Sequence, residues 1–179
     1  SLKLKEYNAF RYTDYTFQQF MLAASREKYF DNTIFVFVGD HGIPGDAGTM
    51  FSPAWTAQRL AAEHVPLLFY SPRLLPAHRN SIICSQVDIM PTIAGFCTGS
   101  FTNTTLGRNL LDSNHRHPFA FIFDPDQQQS GVIMGDYYYR KHLQTGKEEM
   151  VPIKLNKQPG AGQSILPIKE EMKRLSDAI

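Results

Sequence analysis

Phe17, Phe20, Met21 and Ala24 recur three or four residues apart between Asn8 and Tyr29, a spacing that predicts an amphipathic helix with one face on a core. Asp31 and Asn32 break it. From Thr33 to Val38 the chain is β-branched and aromatic without polar interruption, as in a strand covered on both faces in a mostly parallel sheet. Ile43 to Met50 holds Pro44, Gly45 and Gly48 and reads as a loop. Ser52 and Pro53 then supply an N-cap and a first-turn proline for a helix over Ala54 to Glu63. Val65 to Tyr70 predicts a second buried strand, and Ser81 to Cys84 a short third. Asp88 can cap a helix over Ile89 to Phe96, because Pro91 falls in its first turn, and Gly99 ends it. This alternation is the pattern of a layered α/β sheet.

After Gly107 the apolar runs shorten. Phe119 to Phe123, Gly131 to Met134, Tyr137 to Tyr139 and Met150 to Leu155 are separated by turn residues and predict a small antiparallel sheet. Pro159 to Gly162 reads as a linker. Ile168 to Ile179 reads as a closing helix, with Ile168, Met172, Leu175 and Ile179 on one face.

Composition narrows the function classes. A chain of 179 residues can bury one sizeable core, and 18 Lys and Arg against 17 Asp and Glu leave no basic stripe for nucleic acid. No apolar run reaches the length of a membrane helix, and the charged start, SLKLKEYNAF, does not read as a signal peptide. Because it starts with Ser and enters helical sequence at once, the chain is expected to be a piece of a longer protein. Cys84 and Cys97 match no zinc or redox spacing and read as buried thiols or one disulfide.

The chemistry concentrates at the end of the first strand, where "VFVGDHG" places Asp40 and His41 between two glycines. In open α/β sheets, sites lie beyond the carboxyl ends of strands. A carboxylate beside an imidazole suits Mn2+, Zn2+ or Mg2+, and flanking glycines allow close approach. A helix cap followed by a hydrogen-bonded histidine explains the pair equally well.

Five segments in order, "YTDYTFQQFM", "YFDNTIFVFVGDHG", "HVPLLFYSP", "SQVDIMPTIAGF" and "LGRNLL", resemble the C-terminal half of sulfatase-like enzymes of the alkaline phosphatase superfamily. Their wording is most similar to the lipoteichoic acid synthase and phosphoglycerol transferase group. The resemblance implies that residues 1–111 form the C-terminal part of a layered α/β/α core with a mostly parallel sheet, and that 112–179 form a small antiparallel subdomain with a terminal helix. It also implies Asp40 and His41 as two ligands of one divalent metal, with Mn2+ preferred over Mg2+, Ca2+ or Zn2+. In such enzymes the metal keeps a Thr or Ser oxygen ionised for attack on phosphorus, giving a covalent intermediate. That nucleophile and its acidic co-ligand are expected upstream, since Thr13, Thr16 and Thr33 lie within the matched helix and strand.

The implied activity is transfer or hydrolysis of phospho- or sulfo-ester groups, with a phosphoglycerol-type transferase first, a sulfatase as alternative, and a non-catalytic binding module as a second alternative. The substrate would be a phospho- or sulfo-ester, with a lipid-linked ester among the alternatives. The parent would be tethered to the bacterial inner membrane with its catalytic domain outside the cytoplasm. An isolated piece would lack the nucleophile, be inactive, and tend to dimerise or dissolve poorly through its exposed sheet edge.

Other residues read more plainly. His64 and Asp46 are candidates for the substrate side, although a helix C-terminus accounts for the first and turn propensity for the second. His115 and His117 resemble a metal pair but sit in a polar loop. Asp14 reads as helix surface, Asp88 as a cap, and Tyr137 to Tyr139 as strand rather than platform. Arg73 and Arg108 could grip phosphate bidentately.

Overall fold

The computed structural model describes residues 2–97, 99–113, 117–154 and 165–178. The chain divides into two compact units, residues 1–40 with 65–79, and residues 41–64 with 80–179.

In the first unit, helix α1 (Leu2–Ala24) precedes strand β1 (Phe35–Val38), which pairs with β2 (Leu67–Tyr70). The predicted apolar face is the one that docks: Phe17 meets Phe37 edge-on at 4.4 Å, Phe20 meets Phe35 at 6.1 Å, and Ala24 is buried. Elsewhere the helix stays exposed, with Tyr7, Phe10, Tyr12 and Tyr15 between 56% and 69% accessible. The β1–β2 pairing corrects an expectation. It is antiparallel, with Phe35 opposite Tyr70 and Val38 opposite Leu67. The chain leaves β1 and re-enters β2 at the same end of the sheet, where the Gly39 amide donates to the Pro66 carbonyl at 3.2 Å. A parallel pairing would need a crossover back to the start of β1. Among the described residues this sheet has two strands and its residues are half-buried or exposed, not covered on both faces.

The second unit is built on an antiparallel meander of β3 (Phe119–Asp124), β4 (Gln129–Met134), β5 (Tyr137–His142) and β6 (Glu148–Pro152). Met134 pairs with Tyr137 across a two-residue turn whose Gly135 has φ +56°, the left-handed geometry that suits a tight hairpin. Successive side chains point to opposite faces, so Tyr138 and Tyr139 enter different cores. Tyr138 packs with Leu60, Ile122 and Ile153, flanked by Ala54 and Trp55. Tyr139 packs with Val132, Met134 and Met172, flanked by Ile168 and Leu175 of helix α5 (Leu166–Ser176). Burial pushes the Tyr138 phenol up to about 12, and raises that of Tyr139 as well, with the Glu148 carboxylate adding to the effect. The sheet is therefore covered on both sides. The linker predicted at Pro159 to Gly162, and Leu155 and Ile179, lie outside the described residues.

The helix predicted over Ala54 to Glu63 is two pieces, α2 (Pro53–Ala57) and α3 (Leu60–Glu63). Arg59 breaks it at φ 58°, while its guanidinium approaches Asp124 and Asp126 at 3.8 Å each and Leu60 is almost fully buried. Core insertion of Leu60 and the charge pairs together outweigh helix continuity. Ser81 to Cys84 is not a strand. Its polar backbone groups turn to side chains: the Ile82 amide donates to Asn80 Oδ1 at 3.0 Å, and the Ile83 carbonyl accepts from Arg108 Nη2 at 3.3 Å. Helix α4 (Ile89–Phe96) forms where the sequence predicts it.

Candidate functional site

Two glycines frame the turn that follows β1. A Cβ on Gly39 would lie 2.9 Å from the Val65 Cβ, and one on Gly42 would collide with the Ala61 carbonyl oxygen and sit 3.0 Å from that of His64. The Gly42 amide donates to the Ala62 carbonyl at 2.6 Å. Gly42 leaves room for the protein's own backbone, and Gly39 for the Val65 and Pro66 side chains. Asp40 and His41, held between them, are both exposed.

The His41 ring is oriented by its neighbour. Nδ1 lies 2.9 Å from the Gly42 carbonyl oxygen; a carbonyl can only accept, so Nδ1 is the donor, and in the neutral ring Nε2 carries the lone pair. Fixing one ring nitrogen on a carbonyl is how proteins present the other to a metal. A carboxylate and an imidazole are ligand types that divalent cations take. Among the described residues, no group of three or more His, Cys, Asp or Glu side chains is disposed to complete such a set.

The two substrate-side candidates separate. Asp46 Oδ1 accepts from the Gly48 amide at 2.9 Å and from the Thr56 hydroxyl at 3.2 Å, so it closes the loop. His64 is the C-cap residue of α3, at a helix end as expected, and it also lies among aromatic rings. Its ring stands edge-on to Phe51 at 5.2 Å and to Trp55 at 5.5 Å, and those two rings stack at 4.1 Å. This cluster was missed in the sequence, where the F-x-x-x-W spacing of Phe51 and Trp55 was its available signal. Close by in the same unit, burial raises the Glu63 carboxyl above 4.5, and Asp124 raises it further, while Arg59 and more weakly His41 oppose the shift.

The sequence profile of the Sulfatase family matches residues 4–99, more than half of the chain and the whole stretch from β1 through α4. The chain belongs to the sulfatase family. An arylsulfatase from Clostridium perfringens (strain 13 / Type A) is 30% identical to this sulfatase-family chain over 118 residues, 62% of the chain and 23% of that relative. The chain thus spans about a quarter of the length of the curated relative it matches.

Within the sulfatase match, Asp88 makes no side-chain cap bond to α4, contrary to expectation, and is used elsewhere. It is fully buried, its Oδ2 accepts from the Ser85 amide at 2.9 Å, and its Oδ1 accepts from the Arg108 amide at 2.7 Å. The Arg108 guanidinium reaches Asp88 at 3.1 Å, donates to the Phe119 carbonyl, and lies 3.9 Å over the Phe119 ring. Arg108 is thereby committed to a structural pair, and the exposed Arg73 pairs with Asp31 at 3.1 Å. Thr13, Thr16 and Thr33 each donate a hydroxyl to a nearby backbone carbonyl, at 3.0, 2.8 and 2.7 Å. His115 lies outside the described residues, His117 is exposed, and Asp14 is on the surface of α1. The disulfide alternative fails, since both cysteines are free thiols; Cys84 is half-buried with its pKa raised by burial, and Cys97 is exposed rather than buried. Among the described residues, no helix is long and apolar enough to cross a membrane.

Proposed function

We propose that this chain is the C-terminal part of a metal-dependent enzyme that cleaves or transfers sulfo- or phospho-ester groups, with Asp40 and His41 supplying two metal ligands. The observation that carries the reading is the glycine-framed turn after β1: the family match spans it, and His41 Nδ1 is held on the Gly42 carbonyl. When bound, a divalent cation, Mn2+ in preference to Mg2+, Ca2+ or Zn2+, would stabilise charge developing on the ester and the nucleophile. The protein's part at this end is to orient one imidazole and one carboxylate. The nucleophile and an acidic co-ligand come from the rest of the parent, whose core would be a layered, mostly parallel sheet.

The arylsulfatase relative favours a sulfate ester as substrate. The resemblance of the segments "VFVGDHG", "VPLLFYSP" and "LGRNLL" to phosphoglycerol transferases favours instead a phosphoglycerol-type transfer with a lipid-linked substrate, by a parent tethered outside the bacterial cytoplasmic membrane. Elemental analysis of the full-length parent, beside Asp40→Ala and His41→Ala, tests the common part. Stoichiometric metal lost in both variants is expected, and assays on aryl sulfate and phosphoglycerol donors then separate the two chemistries. A folded parent without metal would leave a sulfatase-like fold used as a binding module.

A further inference from the structure

One cavity in the second unit has a lining of unusual chemistry. It is an open depression of about 490 Å³ lined by Met50, Phe51, Trp55, Asp136, Ile153 and Lys154 among its residues, a volume within the range of small-molecule sites. Phe51 and Trp55 form its aromatic side, stacked at 4.1 Å with 17° between their planes. Lys154 and Asp136 form its polar side, joined by a 3.1 Å ion pair whose two side chains are 62% and 24% exposed. The scaffold between these sides is fixed: the Ile153 amide donates to the Asp136 carbonyl at 2.9 Å, and buried Ser52 donates its hydroxyl to the Ile153 carbonyl at 2.6 Å.

The charges decide which ligand fits. An anion at Lys154 would meet the Asp136 carboxylate, and a cation at Asp136 would meet the Lys154 ammonium. Vicinal hydroxyls, which both donate and accept, satisfy the two at once. The aromatic side offers an apolar surface for the C–H face of a ring. We infer that this cavity is a sugar subsite that takes a neutral pyranose ring, with Phe51 and Trp55 as platform and the Asp136–Lys154 pair reading adjacent hydroxyls. His64 links it to the turn after β1, because its ring packs on both aromatics while its carbonyl borders Gly42. The sugar's role as the alcohol part of an ester rests on the enzyme reading above; its binding does not.

Trp55 is the single tryptophan of the chain, so its fluorescence reports on the cavity alone. Titration of the 179-residue chain with lactose is expected to give a saturable emission change. Lys154→Met and Asp136→Asn should each weaken it about tenfold, the loss of one hydrogen bond to a charged group, with unfolding midpoints near that of the parent chain. His41→Ala should leave it unaltered, which separates this site from the metal reading. Saturable binding of phenyl sulfate with no response to lactose would overturn the sugar assignment. So would unchanged lactose affinity in both cavity variants, or no response to lactose at all. Lactose binding by a chain whose parent holds no metal would retain the subsite and remove only the enzyme.

Discussion

Replacing Asp88 with Ala asks whether this residue is a helix cap or half of a buried ion pair. A cap is worth about 1 kcal/mol. Asp88, however, is 0% exposed, accepts from two backbone amides, and faces a guanidinium whose side chain is only 15% exposed. Removing the carboxylate strands that charge, and breaking a buried pair from one side costs about 3–5 kcal/mol. The orphaned Ser85 and Arg108 amides belong to the same loss and are not added to it. Against a total stability on the order of 5–15 kcal/mol, the variant should be marginally folded. With a urea slope of about 2 kcal/mol/M, the unfolding midpoint should drop by roughly 1.5–2.5 M. If the uncompensated charge dominates, Asp88→Ala combined with Arg108→Met should recover part of the loss, since the double variant leaves no buried charge. A midpoint shift below about 0.5 M, or a double variant whose loss equals the sum of the two singles, would refute the ion-pair account and return Asp88 to a simple cap.

Gly42→Ala should lower the thermal midpoint by several degrees, because its methyl would strike the Ala61, Ala62 and His64 carbonyls; an overpacked site costs about 1–3 kcal/mol, and an unchanged midpoint would contradict the close approach. Glu63 has its pKa raised above 4.5 in the folded state, so its contribution is full below the unfolded value and is lost as pH rises through the folded one. Glu63→Gln should therefore gain stability over the parent chain at pH 7 and lose that advantage near pH 4, as denaturant titrations at the two pH values would show. The exposed aromatics of α1, with Tyr7, Phe10, Tyr12 and Tyr15 each above half accessible, should drive self-association of the isolated chain. Sedimentation velocity across a concentration series checks this, and a monodisperse monomer at high concentration would count against it.

Much of the local structure was legible in the residues. The 3.6-residue spacing of Phe17, Phe20 and Ala24 named the face of α1 that docks on β1, and the turn residues after Gly107 announced an antiparallel meander. Asp40 and His41 stood out as an acid and an imidazole at the end of an apolar run, although a cap followed by a hydrogen-bonded histidine explained the pair equally well. Such signals survive in a sequence because they depend on neighbours three or four residues away, or on a single turn. Strand direction and two-sided burial, by contrast, came out against expectation, since an apolar run says nothing of which way its partner runs or what covers its faces. The break at Arg59 likewise depended on where Leu60 found a core and where Asp124 stood, each set by residues distant in the chain. Arg108 looked like a phosphate ligand until the fold brought it to Asp88, twenty positions earlier. The sequence by itself determined most of the elements, the apolar face of α1 and the two candidate ligands. Only the tertiary structure decided which charges neutralise one another and which aromatic rings share a cavity, because those outcomes depend on contacts between segments that no local pattern encodes.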